Sequence, residues 1–270
     1  MIIHLNSSLR AKFPLTVDGL MSSPVVSVDI DDSLIVARSV MRELGIHHVA
    51  ATREGELRGV VSSRDLLRAA EVEGTRVVHV MSRSPHTAQP HEPLSLAAGR
   101  MVRHEVSCLP VLDGDQHIVG MVTLTDFVEC AQLLLGPPIG KLMTPCPLVT
   151  VGTTTTLEEA HRTMLREQVH HLVVMDHTAV VGVLSDLDTL QPGGSTVQSC
   201  MARDVIVASP ETTIHDAAHR MLSNRIGALP VINNNHRLVG IFTRRDLLLA
   251  VASFTAGRTP TDEEEDVVHA

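Results

Sequence analysis

Residues 59–65 read G-V-V-S-S-R-D, and the same shape returns three times. It recurs as G-M-V-T-L-T-D at 120–126, G-V-L-S-D-L-D at 182–188 and G-I-F-T-R-R-D at 240–246. The shared pattern is a glycine, two apolar residues, Ser or Thr, two variable residues and Asp. Its aspartates, Asp65, Asp126, Asp188 and Asp246, stand 61, 62 and 58 residues apart. A methionine opens each unit at nearly the same period, at Met21, Met81, Met143 and Met201. Two markers keeping one period identify an internal repeat, the feature that decides an architecture.

A longer period lies inside the short one. Units one and three share a histidine pair, His47–His48 in G-I-H-H-V and His170–His171 in Q-V-H-H-L. Units two and four share L-P-V, at 109–111 and 229–231. The chain reads as a two-unit ancestor duplicated after about 120 residues. The run G-P-P-I-G at 136–140 cannot continue a helix or a central strand and is expected to separate the halves. The expected repeats are 16–73, 76–135, 139–191 and 196–256. An acidic tail follows at 257–270, without apolar periodicity and expected to be disordered.

Unit one shows the local grammar. The run 25–28 reads as a strand. Residues 31–33 offer helix-capping chemistry, and Leu34, Ala37, Val40, Met41 and Leu44 follow at helical spacing, with Gly45 as C-cap. Residues 46–51 read as a second strand, 52–58 as a hairpin turn, 60–61 as part of a third strand and 65–70 as a second helix. The order is β-α-β-β-α, an α/β (α+β) unit. One such unit of about 60 residues cannot bury both faces of its sheet. The units are therefore expected to pack sheet to sheet as two pairs, as a homodimer or as a flat pseudo-symmetric disc closed within one chain.

Taken together, the opening Met, the His-His or L-P-V strand and the four G-h-h-[S/T]-x-x-D endings resemble the CBS domain family over residues 16–254. The arrangement is similar to stand-alone proteins with four CBS domains and to the nucleotide-sensing gamma subunit of AMP-activated protein kinase. The resemblance implies binding of AMP, ADP or ATP in clefts between paired units, no obligatory cofactor, no catalysis, and signalling to a downstream protein partner. It places ribose recognition on Ser62 and Asp65, Thr123 and Asp126, Ser185 and Asp188, and Thr243 and Asp246. It sets adenine against Val26, Thr87, Val149 and Ile206, with room left by Ala37, Ala97, Ala160 and Ala217. It turns His47, His48, His170 and His171 toward ligand phosphates.

Each role has a structural counterpart. The Ser/Thr and Asp residues also spell a helix capping box. The alanines are good helix formers for any packed face. The histidines suit a hydrogen-bonded core or surface equally. Arg64, Arg244 and Arg245 precede two of the aspartates and could pair with phosphates, or be solvated helix-end residues. That makes units one and four the better candidates for charged nucleotides. Asp186, at the matching place in unit three, would repel phosphate if it faced the cleft.

Composition narrows the remaining classes. A net charge of −9 and the absence of Trp and Tyr oppose nucleic-acid binding, which needs a basic face and stacking platforms. No apolar run approaches the roughly 20 residues of a membrane span, so a cytoplasmic protein with no membrane partner is expected. The four cysteines lack C-x-x-C spacing and read as buried small hydrophobes. No phosphate-loop, H-E-x-x-H or G-x-S-x-G motif is present. The alternatives are a metal-responsive protein using some of its 16 histidines, and a structural dimerisation platform.

Overall fold

The computed structural model describes residues 16–69, 74–189 and 195–255, together with a short strand at His4–Leu5. The acidic tail and the repeat ends at 70–73, 190–191 and 256 lie outside the described residues.

After strand β1 (His4–Leu5), repeat one contains β2 (Ser27–Asp29), α1 (Leu34–Leu44), β3 (His48–Arg53), β4 (Glu56–Ser62) and α2 (Ser63–Arg68). A short helix α3 (Val77–Val80) opens repeat two, followed by α4 (Leu94–Arg103), β5 (Cys108–Leu112), β6 (Ile118–Thr123) and α5 (Leu124–Ala131). Strand β7 (Leu134–Leu135) pairs back to β1, and β8 (Thr144–Pro145) lies near the start of repeat three. That repeat has β9 (Thr150–Gly152), α6 (Leu157–Glu167), β10 (His171–Asp176), β11 (Ala179–Ser185) and α7 (Asp186–Thr189). Repeat four has a short α8 (Val197–Cys200), α9 (Ile214–Ser223), β12 (Ala228–Ile232), β13 (Leu238–Thr243) and α10 (Arg244–Thr255).

The expected β-α-β-β-α order holds in full in repeats one and three, where β2 and β9 run parallel to β3 and β10. Both strands begin later than the apolar runs alone indicate. In repeats two and four the first strand shrinks to one parallel bridge, Ala88 to Val111 and Ala208 to Val231. A feature unread in the sequence opens every unit: a single helical turn before the methionine, at Val17–Gly19, Val77–Val80, Ile139–Lys141 and Val197–Cys200. The third of these turns begins within the run 136–140 that separates the halves. Ile139 is fully buried, and the N–H groups of Ile139 and Gly140 donate to the carbonyls of Thr212 and Pro210 at 2.9 Å each.

The two sequence markers turn out to be partners across each pair. A Cβ on Gly59 would meet the Ser82 carbonyl at 2.5 Å and the Met81 Sδ at 3.0 Å. Gly120 faces Met21 in the same way, Gly182 faces Met201 and Gly240 faces Met143. The glycine of each ending thus admits the opening methionine of the neighbouring repeat, which is why both recur at one period.

Helix ends repeat more faithfully than their sequence. Gly45 caps α1 in the left-handed region at φ 64°, as its residue type favours. Glu105, Gln168 and Arg225 take the same conformation at the matching positions, with φ 54°, 55° and 53°. Tertiary packing imposes the turn there without glycine.

The repeats close into a ring in the order one, two, four, three. Repeats one and two meet through Ala50, Val60, Cys108 and Met121. Repeats two and four share one large core, in which α5 and α10 contribute Phe127, Val128, Leu247 and Val251. Repeats three and four are joined by the pairing of β8 with β13 and by contacts of β11 with β12. Repeats one and three keep separate small cores and touch through α2 and α7.

Candidate functional site

Each G-h-h-[S/T]-x-x-D ending carries the chain from a strand into a helix, with Ser or Thr at the N-cap and Asp three residues on. In all four, one carboxylate oxygen, Oδ2, accepts from both the backbone N–H and the hydroxyl of the cap residue. The Asp65 oxygen lies 2.8 and 2.7 Å from Ser62 N and Oγ, and Asp126 lies 2.6 and 2.7 Å from Thr123. Asp188 lies 2.8 and 2.7 Å from Ser185, and Asp246 lies 2.6 and 2.9 Å from Thr243. The capping role is therefore real. The Oδ1 atoms divide the four. That of Asp126 accepts from Ser22 Oγ at 2.9 Å, whereas among the described residues no hydrogen bond engages Oδ1 of Asp65, Asp188 or Asp246. Burial raises the carboxyl pKa of Asp126, Asp188 and Asp246.

The residue just after each cap is tied to its own hairpin, and Ser63 and Asp186 meet in the middle of the ring. The N–H of that residue donates to the carbonyl at the start of the preceding hairpin in every repeat: Ser63 to His47, Leu124 to Ser107, Asp186 to His170 and Arg244 to Gly227, at 2.9 to 3.2 Å. One backbone bond, repeated four times, thus pairs the residue after each cap with the residue that opens the hairpin. Asp186 is 1% exposed. Its Oδ2 accepts from Ser63 Oγ at 2.9 Å and lies 2.8 Å from His170 Nδ1, and its Oδ1 lies 3.6 Å from His47 Nδ1. Burial alone would raise this carboxyl, but the hydrogen bonds and charge of His170 and His47 outweigh it and hold it far below the usual carboxylate range.

The second histidine of each pair meets the neighbouring repeat instead of Asp186. His48 Nε2 sits 2.6 Å from Ser107 Oγ. His171 packs against Gly227, where an added Cβ would lie 2.6 Å from His171 Nε2 and 3.5 Å from the Arg244 guanidinium carbon. Burial pushes both imidazoles down to about 3, helped at His48 by the neighbouring His47.

Residues 17–72, 77–132, 139–191 and 197–253 each match the family model described as the CBS domain. This chain belongs to the CBS domain family. Its CBS fold resembles that of protein MJ1225 of Methanocaldococcus jannaschii, a proposed archaeal homologue of g-AMPK. The TM-score is 0.78 at 19% identity, over 88% of this chain and all of the other. Protein MJ1404 of the same organism is 24% identical over 268 residues, 89% of this chain and 63% of that one. A homoserine O-acetyltransferase of Methanococcoides burtonii is 33% identical over 112 residues, 41% of this chain. The CBS match spans only 23% of that enzyme.

Within the CBS ring the sequence-predicted residues divide. Val26, Thr87, Val149 and Ile206 are half-buried, so they keep surface that a base could cover. Ala37, Ala97, Ala160 and Ala217 are fully buried in the repeat cores. His47 and His170 do converge, but on Asp186, and the carboxylate expected only to repel phosphate is the residue that joins them. Arg64 and Arg244 flank this centre. Burial lowers the pKa of both guanidinium groups, with Arg68 adding to the effect at Arg64, while the charge of Asp186 opposes it. The Nη2 of Arg64 is buried and has no hydrogen-bond partner among the described residues. Arg245 lies elsewhere, exposed, 3.6 Å from Glu105.

Sequence reading missed Ser63, Ser107 and Gly227. Their signal was available: in the aligned repeats Ser107 and Gly227 occupy the places of His47 and His170, and Ser63 that of Asp186 and Arg244. The cysteines split too. Cys108 and Cys130 are buried with thiols pushed up to about 12, while Cys146 is exposed and Cys200 half-buried. Among the described residues, no three His, Cys, Asp or Glu side chains are placed to hold a metal ion. No described helix is long and apolar enough to cross a membrane.

Proposed function

We propose that this CBS protein is a non-enzymatic regulatory module that binds an adenine nucleoside or nucleotide in the clefts between paired repeats. The carrying observation is the fourfold Ser/Thr–Asp pair. In each pair one carboxylate oxygen is held by the helix cap, and at Asp65, Asp188 and Asp246 the other is left for a ligand. A carboxylate fixed in this way is a rigid acceptor for the hydroxyls of a ribose. The half-buried aliphatic side chains of Val26, Val149 and Ile206 offer apolar surface for a base in a chain nearly devoid of aromatics. A ligand bridging two repeats would bias their relative position, and the ring would carry that bias to a protein partner.

The test is thermal melting with millimolar adenosine, AMP, ADP and ATP. A ligand at a hundred times its Kd stabilises the native state by about 2.7 kcal/mol, a shift of several degrees for a chain of this size class. Asp65→Ala or Asp246→Ala removes a charged acceptor worth about 1.5–3 kcal/mol and should weaken its own cleft by roughly ten- to a hundredfold. Melts that superimpose with and without every one of these ligands reject the reading.

A further inference from the structure

The centre of the ring gathers hydrogen-bond donors from three repeats. His47 and Ser63 come from the first, His170 from the third, and the guanidinium groups of Arg64 and Arg244 flank them from the first and fourth. Two imidazoles, a hydroxyl and two guanidinium groups are the donor set an oxyanion takes. The oxyanion they surround is the protein's own. Asp186 holds Ser63 at 2.9 Å and His170 at 2.8 Å, with His47 at 3.6 Å. The four repeats place Ser63, Leu124, Asp186 and Arg244 at this one position, so a single acidic residue stands among neutral, apolar and basic counterparts.

We propose that Asp186 is an intramolecular counter-ion that occupies the cationic centre and turns this chain's ligand preference toward adenosyl compounds with an uncharged or cationic 5′ substituent. The inference rests on the adenosyl reading above and specifies it. Asp188 lies two residues from Asp186, in the same helical turn, and Asp65 adjoins Arg64 at the same centre, so a ribose held by either carboxylate has this centre as its neighbour. A phosphate chain reaching inward meets a desolvated carboxylate. It must tolerate that like charge or draw His170 and Ser63 away from it, and both disfavour the complex. A 5′ hydroxyl or thioether meets no such repulsion, and a sulfonium is attracted. The uncompensated Nη2 of Arg64 shows that the carboxylate does not satisfy every donor, so anions are disfavoured by degree.

The decisive experiment compares the full chain with Asp186→Asn, which keeps the shape and removes the charge. Binding of adenosine, ATP and inorganic tripolyphosphate is measured by calorimetry and by thermal melting. The expected results are a wild type that binds adenosine at least as tightly as ATP, and a variant whose ATP affinity rises tenfold or more while adenosine changes less than twofold. Tripolyphosphate should stabilise the variant and leave the wild type unmoved. If Asp186→Asn does not fold, Asp186→Ser, which installs the side chain of the first repeat, is measured with the same expectations. A wild type that prefers ATP tenfold, or an ATP-to-adenosine ratio that the substitution leaves unchanged, overturns the counter-ion role. Should neither protein bind any adenosyl compound, the adenosyl reading fails by itself. Tripolyphosphate then decides this inference: stabilisation of the variant alone sustains it, and equal effects on both proteins overturn it.

Discussion

The ring is closed by two seams that ought to be alike, since they join equivalent helices of equivalent repeats. Between repeats two and four, α5 and α10 bury Phe127, Val128, Leu247, Leu248 and Val251 in one shared core. Between repeats one and three, α2 and α7 stand at the equivalent place, and the contact is made through Ser63, Asp186, His47 and His170. One side of the molecule is held by apolar area and the other by a buried carboxylate and its donors. Apolar burial is non-directional and insensitive to pH. A buried polar cluster responds to charge and ligand, because each of its members must stay satisfied. The same fold element, duplicated, thus forms an apolar clasp on one side and a charged, hydrogen-bonded contact on the other.

Substitutions can separate the two. The largest effect is expected at the clasp. Phe127→Ala should destabilise the chain by about 3–5 kcal/mol, read as a lower urea midpoint, with little dependence on pH between 5 and 8. A loss below 1 kcal/mol would mean that the shared core does not hold the ring together.

Acid should act on the polar side. The imidazoles of His48 and His171 are held at about 3, against an ordinary value near 6.5. Between those values the unfolded chain binds more protons than the folded one, so stability is complete above about pH 6.5 and falls as pH drops. From pH 6.5 to 5 the loss should be about 2 kcal/mol for each histidine. Asp186 works in another window. Its depressed carboxyl contributes stability above the unfolded value near 3.9, lost only as pH falls below it. Urea midpoints across pH 5 to 8 should therefore fall less steeply toward acid for His48→Asn than for wild type. Identical slopes would show that His48 is protonated without cost.

The smallest effect is expected from an ion pair at the rim of the apolar seam. Arg245 and Glu105 are 3.6 Å apart with both side chains exposed. Such pairs are screened by salt and contribute little. Arg245→Ala should change the urea midpoint by no more than the equivalent of about 0.5 kcal/mol and leave ATP binding intact. A marked loss of ATP affinity in that variant would restore Arg245 to the phosphate-facing role its sequence position implies.

Sequence alone determined the number of repeats, their pairing period, the β-α-β-β-α order of repeats one and three, and the capping pairs. These follow from short-range rules: a helix that starts after a strand needs an N-cap, and a glycine must recur wherever another chain segment comes within contact distance of the backbone. The recurrence of Met21, Met81, Met143 and Met201 was legible, although their contact with Gly120, Gly59, Gly240 and Gly182 was not, because each contact joins residues of different repeats. The tertiary structure alone decided what the divergent positions do. Ser63, Asp186, Arg244, Ser107 and Gly227 look like drift when the repeats are aligned one beneath another. Closing the ring brings them together, and a side chain that is merely variable within its own repeat becomes the charge partner of a histidine in another. Local pattern sets each unit, but the electrostatics of the centre is a sum over four units, and it exists only once they have been packed.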